Sequence, residues 1–362
     1  MGKILMILFL LAVVGATAQE PRKGRKDPIT NGPRVKNIVT SVSFSYNPGM
    51  TIVVRNLMQR INILESDNNM VRLVVKGYYI SDPKFNSNQW LEKLGIQFTY
   101  TNKAITLRTN DTGSGDIIYN GQAVFDSLGN RVNKKSSDAD NITLYIPAGA
   151  KVDIESKYAD VIVEGRVREL KAIITNGTLK CQEAFSAELT ANYGKIDAGD
   201  IQQAKIKLTN SQLKAGTIHI LEIGSLNATV VINSVDRINI NSAADHYQVN
   251  SAARVEGEKD YGDFLLGTLS GSLELEGLNA DVKITTIQPE VKLIRISSQY
   301  GTLQLPINLL KNYSVTFEGK GSTVKSSFER KQLNATTFMA AAGKKNPVVV
   351  RLTCHQCAVD FN

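Results

Sequence analysis

The residues with the clearest capacity for chemistry are two cysteines in the sequence CHQC at 354–357. Such a pair can form a disulfide, exchange electrons with another dithiol or supply half of a zinc site. A zinc site of four ligands needs a second pair, and only Cys181 remains. Haem attachment needs His directly after the second cysteine, where Ala358 stands. The residue types leave a disulfide or two free thiols as the interpretations of Cys354 and Cys357.

The chain has three histidines, which are His219, His246 and His355. A catalytic histidine needs an acid that orients its ring. Asp245 precedes His246, but neighbouring side chains on a strand point to opposite faces. We therefore expect no catalytic residue, and we predict no cofactor site and no metal site.

These residues are positioned by a phrase of six residues that recurs between Tyr158 and Leu305. Its copies read YADVIV, NGTLKC, YGKIDA, NSQLKA, NATVVI, ADHYQV, YGDFLL, NADVKI and YGTLQL. The second position of each copy falls at 159, 177, 194, 211, 228, 245, 262, 280 and 301. Self-similarity at such a period indicates a repeat architecture.

Each copy alternates apolar and outward residues as a half-buried strand does, because strand side chains point to opposite faces with a period of two. The residues two and four places after the second position are apolar except for the hydroxyl of Tyr247. A second alternating run follows in each repeat, so we predict two short strands and two turns. Units this small bury their apolar face only by stacking. We predict an all-β single-stranded β-helix, or β-solenoid, of nine or more short coils.

The first position of each copy is predicted to form a corner. Asn is frequent there, and Asn tolerates the left-handed backbone that a tight corner needs. The other frequent residue is tyrosine, which can stack between coils or form a binding stripe along the edge. The candidate stripe consists of Tyr158, Tyr193, Tyr261 and Tyr300.

Acidic residues are the usual catalytic groups of polysaccharide-degrading β-helices, which concentrate them at one level of the stack. Here they are dispersed, as shown by Asp160, Asp197, Asp236 and Asp263. Asp160, Asp197 and Asp263 fall near related corner positions. A weak calcium or sugar groove along one edge is therefore an alternative to ordinary solvated turns.

The N-terminus has the pattern of a secretory signal peptide. Lys3 precedes an apolar run over 4–14, and Ala16-Thr17-Ala18 fits the small-x-small cleavage rule. The apolar run is too short to span a bilayer, so we expect no transmembrane segment. We predict cleavage near Ala18 and an extracytoplasmic product, in the periplasm, at the cell surface or in the medium. Because exported proteins meet oxidising conditions, we favour a structural disulfide between Cys354 and Cys357.

The formal net charge is +8, and much of the excess lies in 19–36. A basic tail can contact anionic polymers, but solvated leader segments have the same composition. No aromatic residue interleaves these cations, as the proteins that bind single strands require. We predict a mobile tail and no nucleic-acid partner.

The remaining boundaries follow from changes in pattern. The span 37–126 alternates as strands do, apart from one predicted helix over 84–94, which Asp82-Pro83 precedes and Gly95 ends. We interpret this span as an N-terminal β cap with one helix, and a separate partner-binding lobe is the alternative. The polar span 127–140 is predicted to be a mobile loop, and 141–362 is predicted to be the solenoid.

The last segment of the chain resembles an earlier repeat. Residues 351–361 align without gaps with residues 295–305, which places Cys354 and Cys357 at a corner. We expect this last coil to have a neighbour on one side only, so that a disulfide would stabilise an edge that frays readily.

Part of the sequence resembles a known family. The phrase IPAGAKVDI (146–154), followed by YADVIVEG and YGKIDAG, resembles the bacterial adhesin-like β-strand-repeat family, also described as an auto-transporter adhesin or "head GIN" domain. The upstream phrases MTIVVRN, RINILES and NMVRLVVKG resemble the opening of that family, so the resemblance covers about Ser41 to the C-terminus. It implies a secreted or cell-envelope β-helix and supplies no catalytic residues.

We therefore predict an exported, non-enzymatic protein that serves as a cell-envelope or surface scaffold, or as an adhesin-like binding protein. Its partner is unknown, and envelope polysaccharide or a surface or matrix protein are the candidates. The alternative is a carbohydrate-active β-helix that binds or degrades glycans. A polymerising solenoid of the bacterial cytoskeletal kind is disfavoured by the export signal.

Overall fold

The computed structural model describes residues 36–57, 60–79, 91–92, 95–109, 118–119, 122–123, 142–343 and 347–362. The described residues are almost all β. The first strands are β1 Lys36–Ser45, β2 Thr51–Leu57, β3 Ile61–Ser66, β4 Met70–Tyr79, β5 Ile96–Tyr100, β6 Ala104–Thr109, β7 Ile118–Tyr119, β8 Gln122–Ala123, β9 Ile142–Pro147 and β10 Ala150–Ser156. The strands of the repeat are β11 Val161–Thr175, β12 Thr178–Asn192, β13 Lys195–Thr209, β14 Gln212–Leu226, β15 Thr229–Ile287, β16 Leu293–Gln299 and β17 Thr302–Gln304.

A 3-10 turn, Ile307–Leu309, precedes the last strands, which are β18 Tyr313–Lys320, β19 Thr323–Lys325, β20 Lys331–Gln332, β21 Thr337–Ala342, β22 Val348–His355 and β23 Ala358–Asp360. All of these strands except β7 and β8 belong to one open sheet, and those two pair only with each other. No helix in the described part of the chain is long and apolar enough to cross a membrane.

Successive repeats pair with each other in parallel and in register. Thr178 of β12 is the partner of Lys195 in β13, which is the partner of Gln212 in β14 and then of Thr229 in β15. Each of β12, β13 and β14 is one strand of 15 residues. The prediction of two short strands per repeat therefore differs from the structure, in which one long strand continues through the second bend.

The predicted inward register is confirmed. Every residue two or four places after the second position of a copy is buried, from Val161 and Val163 to Leu303 and Leu305. The predicted second run is buried as well, for example at Leu189 and Ile206. One hydrophobic cluster contains these residues together with strands β2 and β3.

The predicted corner is also confirmed. After Tyr158, the first residue of each copy has a φ between 49° and 60°. The corresponding backbone N–H groups of Asn176, Tyr193, Asn210 and Asn227 each donate to a carbonyl one repeat further on. At the next position the backbones approach closely, since a Cβ on Gly177 would lie 2.6 Å from the carbonyl oxygen of Ala159.

The N-terminal strands continue the parallel pairing of the repeats. Strand β2 pairs with β10 and β6, and β3 pairs with β11 and β9, all in parallel. Strands β1, β4 and β5 add antiparallel partners at this end. The predicted helix lies mostly outside the described residues. Within its span, Leu91 and Glu92 have helical conformation, and the N–H of Gly95 donates to Glu92.

The place of the C-terminal segment in the sequence suggests that it is the last strand of the array. In the structure it lies between two earlier segments instead. Strand β22 lies between β16 and β18 and pairs with both in parallel. Strand β23 lies between β17 and β19 in the same way. The predicted alignment of 295–305 with 351–361 is confirmed, because Ser298 is the partner of Cys354 and Leu303 is the partner of Val359. The expectation that the last segment has a neighbour on one side only was wrong.

The far side of β18 is covered by β21, which runs antiparallel to it. Aromatic rings fill the core beneath these strands. The ring centroids of Phe317 and Phe338 are 4.9 Å apart, and those of Phe328 and Phe361 are 5.3 Å apart. The C-terminal end of the core is therefore closed by side chains rather than left open.

Candidate binding surfaces

The four predicted tyrosines lie on the corner of the repeats and are exposed. The exposed fraction is 64% for Tyr158, 65% for Tyr193, 48% for Tyr261 and 52% for Tyr300. The last three have a left-handed backbone, which is unusual for a bulky residue and fixes the direction of the side chain. We call these four residues the tyrosine corner.

The tyrosines recur at every second repeat or at a multiple of it. One copy of the phrase lies between Tyr158 and Tyr193, three lie between Tyr193 and Tyr261, and one lies between Tyr261 and Tyr300. At the spacing of about 4.8 Å between paired strands, the outer pairs are separated by about 10 Å. Between the inner tyrosines, the amide of Asn227 donates to Asn210 at 2.6 Å. The corner therefore offers aromatic rings that are two or four repeats apart, with a pair of amides between the inner two rings.

The two cysteines at the C-terminus are thiols in this structure, and both are buried. Cys357 Sγ lies 3.2 Å from the carbonyl oxygen of Ser298. A hydrogen bond from Cys354 lowers the pKa of Cys357 to about 6, and the same bond with burial raises the pKa of Cys354. Gln356 between them has a φ of 55°, so the predicted corner exists. The disulfide itself stays a prediction.

The third cysteine lies apart from this pair. Cys181 is buried in the core, as its place in the repeat predicts. Burial raises its pKa to about 12, so it is an inert thiol at neutral pH.

Two of the three histidines, His219 and His246, pair with acids of the neighbouring repeat. His219 Nδ1 lies 2.6 Å from Asp236, and His246 Nδ1 lies 3.0 Å from Asp263. Asp245 and His246 point to opposite faces, as predicted, because Asp245 is fully buried and His246 is exposed. Of the acids near the corner, Asp160 accepts the N–H of Thr178 at 3.0 Å.

A second surface was missed by the sequence interpretation. A groove of ≈ 1020 Å³ crosses the outward residues of the first four repeats. Its lining residues include Arg166, Arg168, Glu183, Phe185, Asp200, Gln202, Thr217 and His219. We call it the Phe185 groove. These are the outward residues of the short run that follows the second bend. Their residue types differ from one repeat to the next, so the sequence shows no pattern that would have indicated a shared surface.

The groove contains two acidic residues that the sequence pattern did not single out. Glu183 and Asp200 are direct partners across β12 and β13. Asp200 accepts the N–H of Thr217 at 3.2 Å. Because these two acids belong to successive repeats, they do not form a group at one level of the stack.

A buried polar cluster lies inside the core near the tyrosine corner. Asp245 accepts the N–H of Ala228 at 2.5 Å and the hydroxyl of Ser225 at 2.7 Å. The hydroxyls of Ser225 and Tyr247 are 2.6 Å apart. Lys259 is fully buried and donates to the carbonyl oxygen of Tyr261. Burial lowers the pKa of Lys259, against the charges of nearby aspartates that raise it.

The fold and these surfaces define an all-β chain of parallel repeats with one aromatic corner and one polar groove. No protein-family model matches the sequence, and no curated protein matches it. A crystal structure of a candidate adhesin from Parabacteroides merdae has a TM-score of 0.36 and 10% identity, covering 75% of this chain and 99% of that one. A candidate adhesin from Parabacteroides distasonis has a TM-score of 0.35 and 12% identity, covering 76% and 100%. A candidate adhesin from Bacteroides fragilis has a TM-score of 0.27 and 9% identity, covering 91% and 99%. These TM-scores and identities are too low to assign a role to this chain.

Proposed function

We propose that this chain is an exported, non-enzymatic β-solenoid that serves as an adhesin-like binding protein or scaffold of the cell envelope. The solenoid is supported by the parallel, in-register pairing of repeats 17 residues apart, as between Leu179 and Ile196. It is also supported by the single continuous cluster of inward apolar residues. The resemblance to the "head GIN" family of adhesin-like proteins belongs to the same proposal.

We propose the export route and the domains on sequence grounds. The signal peptide at 1–18 lies outside the described residues, and so does the tail at 19–36 apart from Lys36, with which β1 begins. The span 37–126 is proposed as a cap whose strands β2 and β3 extend the pairing of the solenoid at 141–362. The loop at 127–140 also lies outside the described residues.

The observation that carries the binding role is the tyrosine corner. Tyrosine supplies a large amphipathic contact surface with few rotatable bonds and is enriched in binding hot spots. A ring held on a left-handed corner of a paired strand loses little further freedom when it binds a partner. A regular row of such rings suits an extended partner that repeats along its length, such as an envelope polysaccharide or a fibrous surface protein.

Replacing Tyr158, Tyr193, Tyr261 and Tyr300 together by Asn is expected to weaken binding by about tenfold or more, since aromatic hot spots contribute on this scale. Asn already occupies the same corner in other repeats, so the fold should persist. The measurement is an array of glycans and matrix proteins probed with the exported chain, with a calcium-free control.

The matched control is Leu309→Asn, which removes a residue that is 76% exposed and lies away from the corner. Equal binding by the Tyr→Asn quartet and the wild type would contradict a role for the tyrosine corner. Recovery of shortened glycan from the array would contradict the non-enzymatic part of the proposal and favour the carbohydrate-degrading alternative.

We also propose that Cys354 and Cys357 form a disulfide after export. A disulfide of the oxidising compartment would take up the two electrons and become two thiols as the new bond forms. Cys357, whose pKa is lowered, supplies the attacking thiolate. The closed loop is short, so the expected gain is about 1–2 kcal/mol.

Thiol alkylation of the exported chain followed by intact-mass measurement tests the disulfide. We expect neither Cys354 nor Cys357 to be labelled before reduction in denaturant, and both to be labelled after it. Cys181, which is a buried free thiol, serves as the internal control because it should be labelled in denaturant in either case. Labelling of all three cysteines without reduction would rule the bond out.

A further inference from the structure

The Phe185 groove has the shape and chemistry of a ligand site. It extends over four repeats, which at about 4.8 Å for each step gives a length of about 14 Å. Its volume of ≈ 1020 Å³ lies at the upper end of the range for ligand sites. The groove opens on a side of the repeats other than the tyrosine corner, since its residues belong to the run after the second bend.

One apolar ring projects into this polar surface. Phe185 is 58% exposed, although nothing in the repeat requires an aromatic residue at its position. The equivalent residues in the next two repeats are Gln202 and His219, which also line the groove. A phenyl ring left in water between hydrogen-bonding side chains indicates a partner with both an apolar face and polar edges.

The charges in the groove balance. Arg166 and Arg168 contribute two cations, and Glu183 and Asp200 contribute two anions. Arg166 also pairs with Glu65, with its guanidinium 2.9 Å from that carboxylate, so part of its charge is neutralised. Groups of both signs remain in the groove, and a strongly charged polymer of either sign would meet repulsion from some of them.

A peptide is a poorer fit than a glycan. Extended peptides usually bind by adding a strand to a free sheet edge. Strands β11, β12, β13 and β14 are each paired on both sides along this surface, so they offer no free edge. Binding must then come from side chains alone, and the groove supplies carboxylate, amide and imidazole groups around one ring.

We infer that the Phe185 groove binds a neutral polysaccharide. The apolar face of a pyranose ring packs on Phe185, and Glu183, Asp200 and Gln202 hydrogen-bond to hydroxyl groups along its edge. This rests on the proposed binding role but uses a surface separate from the tyrosine corner. Binding of one neutral chain along four repeats explains why the groove is long, shallow and balanced in charge.

The test is affinity electrophoresis of the full exported chain through gels that contain dextran, galactomannan or a mixed-linkage β-glucan, with polygalacturonate as the charged comparison. We expect retardation by at least one neutral polymer. Phe185→Ala should weaken it by about tenfold, which corresponds to about 1.4 kcal/mol, because the variant removes the phenyl face on which the sugar ring packs. Gln202→Ala should weaken it less.

Ile220→Ala is the matched control, because Ile220 is 48% exposed on a neighbouring outward position and does not line the groove. It should bind as the wild type does. The inference is overturned if no neutral polymer retards the wild type, if only polygalacturonate does, or if Phe185→Ala and the wild type bind equally. Loss of glycan binding in the Tyr→Asn quartet but not in Phe185→Ala would overturn the groove while leaving the proposed function in place.

Discussion

A chain that ends at Gly343 is expected to lose the ordered structure of its last strands, β18 and β19, while the central repeats stay folded. Strands β22 and β23 fill the space between β16 with β17 and β18 with β19. Their removal leaves β16, β17 and β18 paired on one side only, and it takes from β19 the strand with which it pairs. The deletion also removes Val350, Leu352 and Phe361 from the core. Each such side chain contributes about 1.5–3 kcal/mol by burial, which together approaches the stability of a whole domain.

Hydrogen exchange read by mass spectrometry measures this result. Residues 313–325 should exchange rapidly in the shortened chain, and residues 293–304, which still pair with β15, should lose part of their protection. Strands β12 to β14 should stay protected. A milder pair of point variants separates packing from the deletion itself. Leu352→Asp buries a charge between Ile296 and Phe317 and should resemble the deletion, and Arg351→Ala changes an exposed residue and should not.

One outcome would contradict this account. If β18 can move up to pair directly with β16, the shortened chain would stay protected throughout and its melting temperature would change little. The register allows such a move in principle, since both strands already align with β22. The aromatic contacts of Phe317 and Phe328 oppose it, because both depend on the C-terminal segment or on β21.

The intercalated segment marks where sequence reasoning stops. The alignment of 295–305 with 351–361 gave the register, because the apolar and corner positions repeat. It did not give the order of the strands, since every repeat presents the same backbone edges to its neighbours. The simplest prediction places each repeat beside the next one in sequence. Residues 313–325 do not follow it, because they pair with β22 and β23 rather than with β16 and β17. Only the aromatic side chains at 317, 328 and 361 distinguish the end of the core from its middle.

The inward residues and the corner were predictable for a physical reason. Side chains alternate with a period of two, and a left-handed corner favours Asn, so both features leave a pattern in the residue types. Outward residues have no such constraint, which is why Phe185, Glu183 and Asp200 were not recognised together. The buried cluster was missed because Asp245 lies where other copies have Gly, Ala or Ser, and its sequence neighbour His246, beside which it was considered, points to the opposite face.

The second large effect is expected at that cluster. Asp245→Ala should lower the free energy of unfolding by about 3 kcal/mol or more, because it leaves the N–H of Ala228 and the hydroxyl of Ser225 without their acceptor. It also removes one of the negative charges that act on the buried Lys259. Alanine fits the site sterically, since it occupies the same position at Ala228 and Ala280. Chemical denaturation gives the free energy. Asp263→Ala is the control, because that carboxylate is partly exposed and pairs with the exposed side chain of His246. Its charge also acts on Lys259, but less than that of Asp245, so the variant should change stability by less than about 1 kcal/mol.

Adding Lys259→Met to Asp245→Ala tests whether the charges account for the loss. Removing both ions at once avoids an uncompensated buried charge, so the double variant should be more stable than Asp245→Ala alone. Equal stability of Asp245→Ala and Asp263→Ala would show that the cluster contributes nothing. A double variant no more stable than Asp245→Ala would show that the loss comes from the hydrogen bonds to Ala228 and Ser225.

The pH dependence of stability gives an independent measurement of Lys259. Its pKa is lowered in the folded state by burial, although Asp245, Asp263 and Asp260 oppose the shift. The folded chain therefore releases this proton at a lower pH than the unfolded chain, whose lysines titrate near 10.4. Between those two values the unfolded state binds more protons, so the free energy of unfolding from this group rises with pH. Tyr247 acts in the opposite direction above about pH 10, because burial raises its pKa. The free energy of unfolding of the wild type and of Lys259→Met should therefore be compared below about pH 10. The wild type should gain stability as the pH rises, and Lys259→Met should lack this gain. Identical slopes would mean that Lys259 stays charged in the core.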